Sequence, residues 1–352
     1  MIISKIISAA PVITALICLG VLSGCSESVG EAAQKEGRVV VYSSTDEPFF
    51  EEVIESFERQ NPQIKVEYHA MTAADVHQRY LADTNFDRPS ADLLINSAMD
   101  LQIRLANDGH AREYSPPQPQ HIPNWASWNQ RAYAVSVEPI VIGYNRREVD
   151  ASKLVPTRSG LASFIRDHSA ELSGKVGLYD PETSSLGMLL VNQDLNIDQE
   201  SWDLIVTLGR HKPRLYVSTQ DMIKDVRSGK LLLAYNMIGS YAFQRARQDP
   251  SFGIIVPQDY TLMMSRVAVM PKNSRHPNAA VRLMDFLLSQ EGQKLIAQRG
   301  MVPVRDDVQS PYPELTRSNI RAVRVGPTLL TNLDTMNRTR FLQQWKSAVL
   351  VD

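Results

Sequence analysis

The apolar positions of this chain fall into short β-type runs that stop abruptly at small hydroxylated residues. The first run, Val39 to Tyr42, ends in Ser43, Ser44 and Thr45. Asp46, Glu47 and Pro48 then carry helix-start signals, and Phe49, Phe50, Val53, Ile54 and Phe57 follow at helical spacing. Asn61-Pro62 stops that helix, and Ile64 to Tyr68 alternates as a strand. Thr72 caps a predicted helix over 73–83. A short apolar strand, Ala91 to Asn96, ends at Ser97 before another helix. The longest β-rich stretch, Ala132 to Asn145, is interrupted by Glu138-Pro139, which we read as a first crossing between two lobes. Beyond it the pattern recurs. A strand over 175–179 is followed by the turn Asp180 to Ser185 and a helix from Leu186. A strand over 215–218 leads to a helix over 220–228 closed by Gly229, and the strand Leu231 to Asn236 precedes a further helix. Ile254 to Ala268 carries the chain back as a second crossing, and three helices are predicted over 279–289, 290–299 and 338–349. Strand, hydroxyl turn and helix in two α/β lobes place the turns at the carboxyl ends of strands, where open α/β sheets bind ligands. A cleft between two lobes with a hinge is the expected architecture.

The ends set the compartment. Met1 to Gly24 holds one charge, Lys5, and an apolar run, which reads as a signal peptide. Leu22-Ser23-Gly24-Cys25 resembles the bacterial lipoprotein box, which implies cleavage before Cys25, lipidation of its thiol and a periplasmic body tethered to a membrane. Residues 25–36 are expected to be a polar tether, 37–137 the first lobe, 138–260 the second, and 261–352 the return to the first lobe with the C-terminal helices. The other cysteine, Cys18, lies in the leader, so the mature chain has no internal disulfide and no cysteine cluster for a metal. The net charge is −2 with no basic stripe, which argues against nucleic acid. No later apolar run is long enough to span a membrane. The seven histidines are scattered, and no Gly-x-Ser-x-Gly elbow or phosphate-binding Gly-x-x-x-x-Gly-Lys loop occurs. We expect a monomer that is not an enzyme and has no cofactor.

Several motifs in order resemble one family. They are Val39 to Ser43; Ala91 to Ser97 with Met99-Asp100; Glu138-Pro139 before Ile142 to Asn145; Gly229 before the strand to Asn236; and Val267 to Ser274 with the helix containing Phe286 to Ser289 and Gly292-Gln293. Together they resemble the periplasmic substrate-binding proteins of ABC transporters, in the group with ferric-iron-binding and organophosphate-binding members. The last part is also similar to the binding proteins of phosphoglycerate transport regulation. The resemblance implies a type II periplasmic binding protein fold with two hinge crossings that closes on a solute. It also implies a membrane partner, either an ABC permease or the ectodomain of a two-component sensor kinase.

Iron-binding members hold the ion with adjacent tyrosines, and hard Fe³⁺ suits such oxygen ligands. Here Tyr241 matches one tyrosine, but Ser240 stands where the other is expected, and no histidine occurs in 42–47. Hydroxyls in place of metal ligands suit an oxyanion such as an organophosphate, phosphonate or carboxylate. The candidate ligand-binding residues are Ser44, Thr45, Ser97, Ser184, Ser185, Asn236, Ser240 and Tyr241, with Arg266 as the cation. The same hydroxyls can serve only as helix caps. Glu138 is a candidate for a ligand amine or for a hinge salt bridge. No metal is expected unless the solute is iron, in which case Tyr241 is a ligand.

Overall fold

The computed structural model describes residues 28–350, apart from 87, 89, 314 and 316–318. The leader and Cys25 lie outside the described residues. The first lobe contains α1 (Val29–Glu36), β1 (Arg38–Ser43), α2 (Glu47–Gln60), β2 (Lys65–Ala70), α3 (Ala73–Asn85), β3 (Leu93–Asn96), α4 (Met99–Asn107) and β4 (Ser127–Trp128). The chain crosses in β5 (Ala132–Asn145). The second lobe holds α5 (Arg158–Asp167), α6 (Ser169–Leu172), β6 (Val176–Tyr179), α7 (Ser185–Ile197), α8 (Ser201–Arg210), β7 (Arg214–Tyr216), α9 (Thr219–Arg227), β8 (Leu233–Ile238), α10 (Gly239–Gln248) and β9 (Phe252–Ile255). The chain returns in β10 (Thr261–Val269), followed by α11 (Pro277–Leu287), α12 (Gln290–Gln298), β11 (Ile320–Ala322) and α13 (Thr335–Val349).

The strands follow the path β2-β1-β3-β10-β5-β8-β6-β7, with β11 on β10 and with β4 and β9 on β5. β1 runs parallel to β2 and β3, and β6 parallel to β7 and β8, so each lobe has three parallel strands, joined antiparallel by β10 on β3 and by β5 on β8. β5 joins the two. Its first half pairs with β10, placing Glu138 opposite Met264, and its second half pairs with β8 and β9. Pro139 sits where the strand changes partners. A Cβ on Gly239 would meet the Pro139 carbonyl oxygen at 2.6 Å, so only glycine lets α10 start against the crossing.

Residues 28–36 differ from the tether expected of them. Ser28 and Glu31 form a reciprocal capping box, Ala33 is fully buried, and the helix packs on α11. Its polar composition hides this, because one alanine and one carboxylate make the attachment. The Glu36 carboxylate accepts from the Asn278 N–H at 3.2 Å and the Ala279 N–H at 2.7 Å, capping the first turn of α11.

The final helix also differs from a simple return to the first lobe. α13 lies on α8 of the second lobe, where Trp345 and Val349 are buried in the second hydrophobic cluster. A Cβ on Gly209 would meet the Ala348 carbonyl oxygen at 1.9 Å, which shows how closely the two helices approach. The stretch before α13 is thus a third passage between the lobes. No helix among the described residues is long and apolar enough to cross a membrane.

Candidate functional site

A cavity of about 570 Å³ opens between the lobes at the carboxyl ends of β1, β3, β6 and β8. The strand ends and helix starts that follow them build its walls. The first lobe supplies Ser44, Asp46, Ser97 and the segment Ala70 to Asp75. The second supplies Tyr179, Thr183 to Leu186, Val217 to Gln220, Ile238 and Tyr241. The wall therefore contains the starts of α3, α7 and α9, with hydroxyls beside them. First-turn N–H groups have no partner within their own helix and carry partial positive charge. Thr72, Ser184 and Ser218 accept from the Asp75, Gly187 and Gln220 N–H groups respectively, which pins each turn in place. Among the described residues no lysine, arginine or histidine lines the cavity, and Asp46 and Asp75 are the acidic side chains in its wall.

The structure brings together five of the ten expected residues, Ser44, Ser97, Ser184, Ser185 and Tyr241. Ser44 Oγ donates to Ser97 Oγ at 3.2 Å and accepts from the Ser97 N–H at 2.8 Å. Ser184, Ser185 and Tyr241 face them from the second lobe. Tyr241 spans the cleft. Its phenol oxygen accepts from the Asp46 N–H at 3.3 Å, and its ring centroid lies 4.5 Å from that of Phe49. The Gln220 side chain adds a second link, donating to the Asp46 carboxylate at 3.3 Å. Burial raises the Tyr241 pKa, and the nearby Arg266 charge pulls the other way.

Five expected residues stand outside the cavity wall. Arg266 and Glu138 form a fully buried ion pair through Arg266 Nε, and Ser240 Oγ donates to the other Glu138 oxygen. Glu138 is therefore occupied by the hinge and Ser240 by Glu138. Arg266 lies behind the floor. Its Nη1 donates to the Ser44 carbonyl at 3.2 Å, its guanidinium carbon is 5.6 Å from the Tyr241 ring centroid, and Nη2 has no partner among the described residues. Burial disfavours the Arg266 charge, but the charge and hydrogen bond of Glu138, with Tyr241 and Tyr68, together hold the pKa above the ordinary value. Asn236 points into the second lobe, where its amide donates to Asp194 Oδ2 at 2.9 Å. Tyr235 donates to the same oxygen at 2.8 Å, so Tyr235 does not pair with Tyr241. Thr45 is also absent from the wall. It is fully buried, and its Oγ1 has no partner among the described residues.

Sequence reasoning missed Tyr179, Asp46, Asp75, Gln220 and the α3 start. Tyr179 ends a β-strand and carries no turn signal, and burial raises its phenol pKa. Thr72 was visible as a cap, but nothing local said that its helix starts at the cleft. Trp125 and Trp128, which follow the proline-rich segment 114–123, pack on the main core.

Comparison with known proteins adds the family. The family model for bacterial extracellular solute-binding proteins matches residues 52–319. No curated protein sequence matches the chain. Among solved structures, the substrate-binding protein of an ABC transporter from Agrobacterium tumefaciens is 32% identical, with a TM-score of 0.84 over 93% of this chain and 96% of that one. Two more distant structures share the fold alone. Iron-bound HitA from Pseudomonas aeruginosa is 18% identical, with a TM-score of 0.70 over 88% of this chain and 99% of that one. The periplasmic binding protein AfuA from Actinobacillus pleuropneumoniae, with fructose-6-phosphate bound, is 17% identical, with a TM-score of 0.72 over 90% and 99%.

Proposed function

Because the chain belongs to the bacterial extracellular solute-binding proteins, a family of binding proteins rather than enzymes, we propose that it captures a small organic anion in the cleft for an ABC permease. The membrane partner is carried over from the Agrobacterium relative, which is the binding component of such a transporter. Anchoring through a lipid on Cys25 belongs to the same reading, supported by the lipoprotein-box resemblance.

One observation carries the choice of solute. The starts of α3, α7 and α9, with the hydroxyls of Ser44, Ser97 and Ser185, converge on one cleft that has no cationic side chain in its wall. Such a site holds an anion by neutral donors. Arg266, one layer back and largely neutralised by Glu138, adds a directional field through the Ser44 peptide. The carboxylates of Asp46 and Asp75 suit donor groups elsewhere on the solute, such as hydroxyls or an amine. The volume, on the order of twenty waters at about 30 Å³ each, suits an organic phosphate, phosphonate or carboxylate better than a bare ion. The test is calorimetry with these three classes of anion on the purified chain. Binding of an organic anion at 1:1 with closure supports the reading. Failure of all three classes, with the protein folded, overturns it.

A second reading has one observation in its favour. Two phenols, Tyr179 and Tyr241, and two carboxylates, Asp46 and Asp75, line the same cavity and offer hard oxygen ligands to ferric ion. Stoichiometric iron in the purified protein, with visible tyrosinate absorption lost in Tyr241→Phe, would establish it. A sensor-kinase ectodomain as recipient would show as capture of the kinase and not of the permease.

A further inference from the structure

The start of α1 constrains how the molecule sits on a membrane. Only Ser26 and Glu27 separate Cys25 from Ser28, the capped residue at which the helix begins. The chain from Cys25 to Ser28 reaches at most about 11 Å. α1 is itself fixed to the first lobe. Ala33 is fully buried, Glu36 caps α11, and the Asn278 amide donates to the same Glu36 at 2.7 Å. The last residue of α1 meets the first turn of α11 while the two helices pack along each other, so they run antiparallel. The start of α1 therefore lies beside the later turns of α11, about 12 Å back along the lobe at 1.5 Å per residue. Val29, at that end, is an apolar side chain left 47% exposed.

We infer that the flank of the first lobe formed by α1, whose Val29, Glu31, Gln34 and Lys35 are exposed, rests against the phospholipid surface, and that the second lobe is the one that swings on closure. The inference depends on the lipid-anchor reading of Cys25. The partner is the headgroup layer of the bilayer. A lipidated Cys25 sits in that layer, and the remaining reach is shorter than α1 is long, so the folded body has no room to lift away. The permease would meet a first lobe held at fixed height and a second lobe whose position reports the bound solute.

The test uses the full-length lipidated protein in phosphatidylcholine vesicles containing a headgroup nitroxide quencher. With Cys18 lost in the leader and the Cys25 sulfur held in a thioether to its lipid, Val29→Cys and Gln199→Cys each supply a single free thiol for a fluorophore. Gln199 lies between α7 and α8 of the second lobe. We expect the Val29 label to lose most of its emission and the Gln199 label to keep its own. Inserting about a dozen flexible Gly-Ser residues before Ser28, which span ~20 Å on average, should restore the Val29 emission. Mass measurement of the mature chain separates the two ways of failing. Lipid on Cys25 with equal quenching at both labels overturns the inference while leaving the anchor. A Cys25 without lipid overturns the anchor and the inference with it.

Discussion

Asp92 is fully buried at the entry to β3, where its carboxylate ties three parts of the first lobe together. Oδ2 accepts from the Val40 N–H of β1 at 2.8 Å and hydrogen-bonds His276 Nδ1 at 2.8 Å. Oδ1 accepts from Ser274 Oγ and from the Arg275 and His276 N–H groups, organising the turn into α11. Asp92→Ala removes the shared acceptor of these part-buried donors, and we expect a loss of roughly 3 kcal/mol or more in denaturant unfolding. Asp100 behaves differently. Burial is the main reason its pKa is raised to about 6, so ionising it costs stability. The folded state then holds its proton above the ordinary carboxylate pKa. This contribution is present at low pH and is lost as pH rises from about 4 through 6. Asp100→Asn should flatten that part of the stability–pH curve and leave the protein at pH 7 as stable as the parent or more so. A parallel downward offset at every pH would contradict this. In the cleft, Ser44→Ala and Ser97→Ala each remove a hydroxyl from a linked pair. Solute affinity should fall about 3- to 10-fold, corresponding to ~0.5–1.5 kcal/mol per hydrogen bond, with melting nearly unchanged in Ser97→Ala and lowered in Ser44→Ala, which loses the acceptor of the Ser97 N–H.

At the scale of elements, close approaches set the packing at both ends of the second lobe. Gly209 lets α13 lie on α8, and Gly239 lets α10 start against Pro139. Gly209→Ala forces its new methyl onto the Ala348 backbone. We expect a cost of about 1–3 kcal/mol, read as a lower Tm, with α13 amides exchanging faster while those of the first lobe do not. Helix limits inside the lobes were legible because apolar spacing and cap residues are local signals. α1 was not, since its eight residues, half of them polar, contain no apolar stripe, and Ala33 and Glu36 fix it to the lobe. The destination of α13 was equally hidden: its sequence shows that Trp345 must be covered but not which lobe covers it.

For the whole molecule, the lobes meet through Tyr241 and Gln220 on one side and Asp46 and Phe49 on the other, in front of the buried Arg266–Glu138 pair. Solute bridging both walls favours the closed arrangement only by its difference in affinity for the two states. Tyr241→Phe keeps the ring contact with Phe49 but removes the acceptor for the Asp46 N–H. It should shift the solute-free protein toward the open form, seen as a larger radius of gyration in solution scattering, and weaken binding. An unchanged radius and affinity would show that this link does not govern closure.

Of this protein, the sequence by itself determined the alternation of strands, hydroxyl turns and helices, the two-lobed α/β class, and the places where Ser44, Ser97 and Ser184 end a strand or begin a helix. Those features rest on interactions between residues a few positions apart, which leave a periodic trace. Tertiary structure decided which side chains share the cleft. It placed Tyr179, Asp75 and Gln220 in the wall, turned Asn236 toward Asp194, and spent Glu138 on Arg266 and Ser240. Such pairings join residues far apart in the chain, 128 positions for Arg266 and Glu138 and 174 for Gln220 and Asp46, and depend on how two sheets meet across a shared strand. Burial adds the rest, because a charge one layer beneath a surface reads in sequence like a charge at that surface.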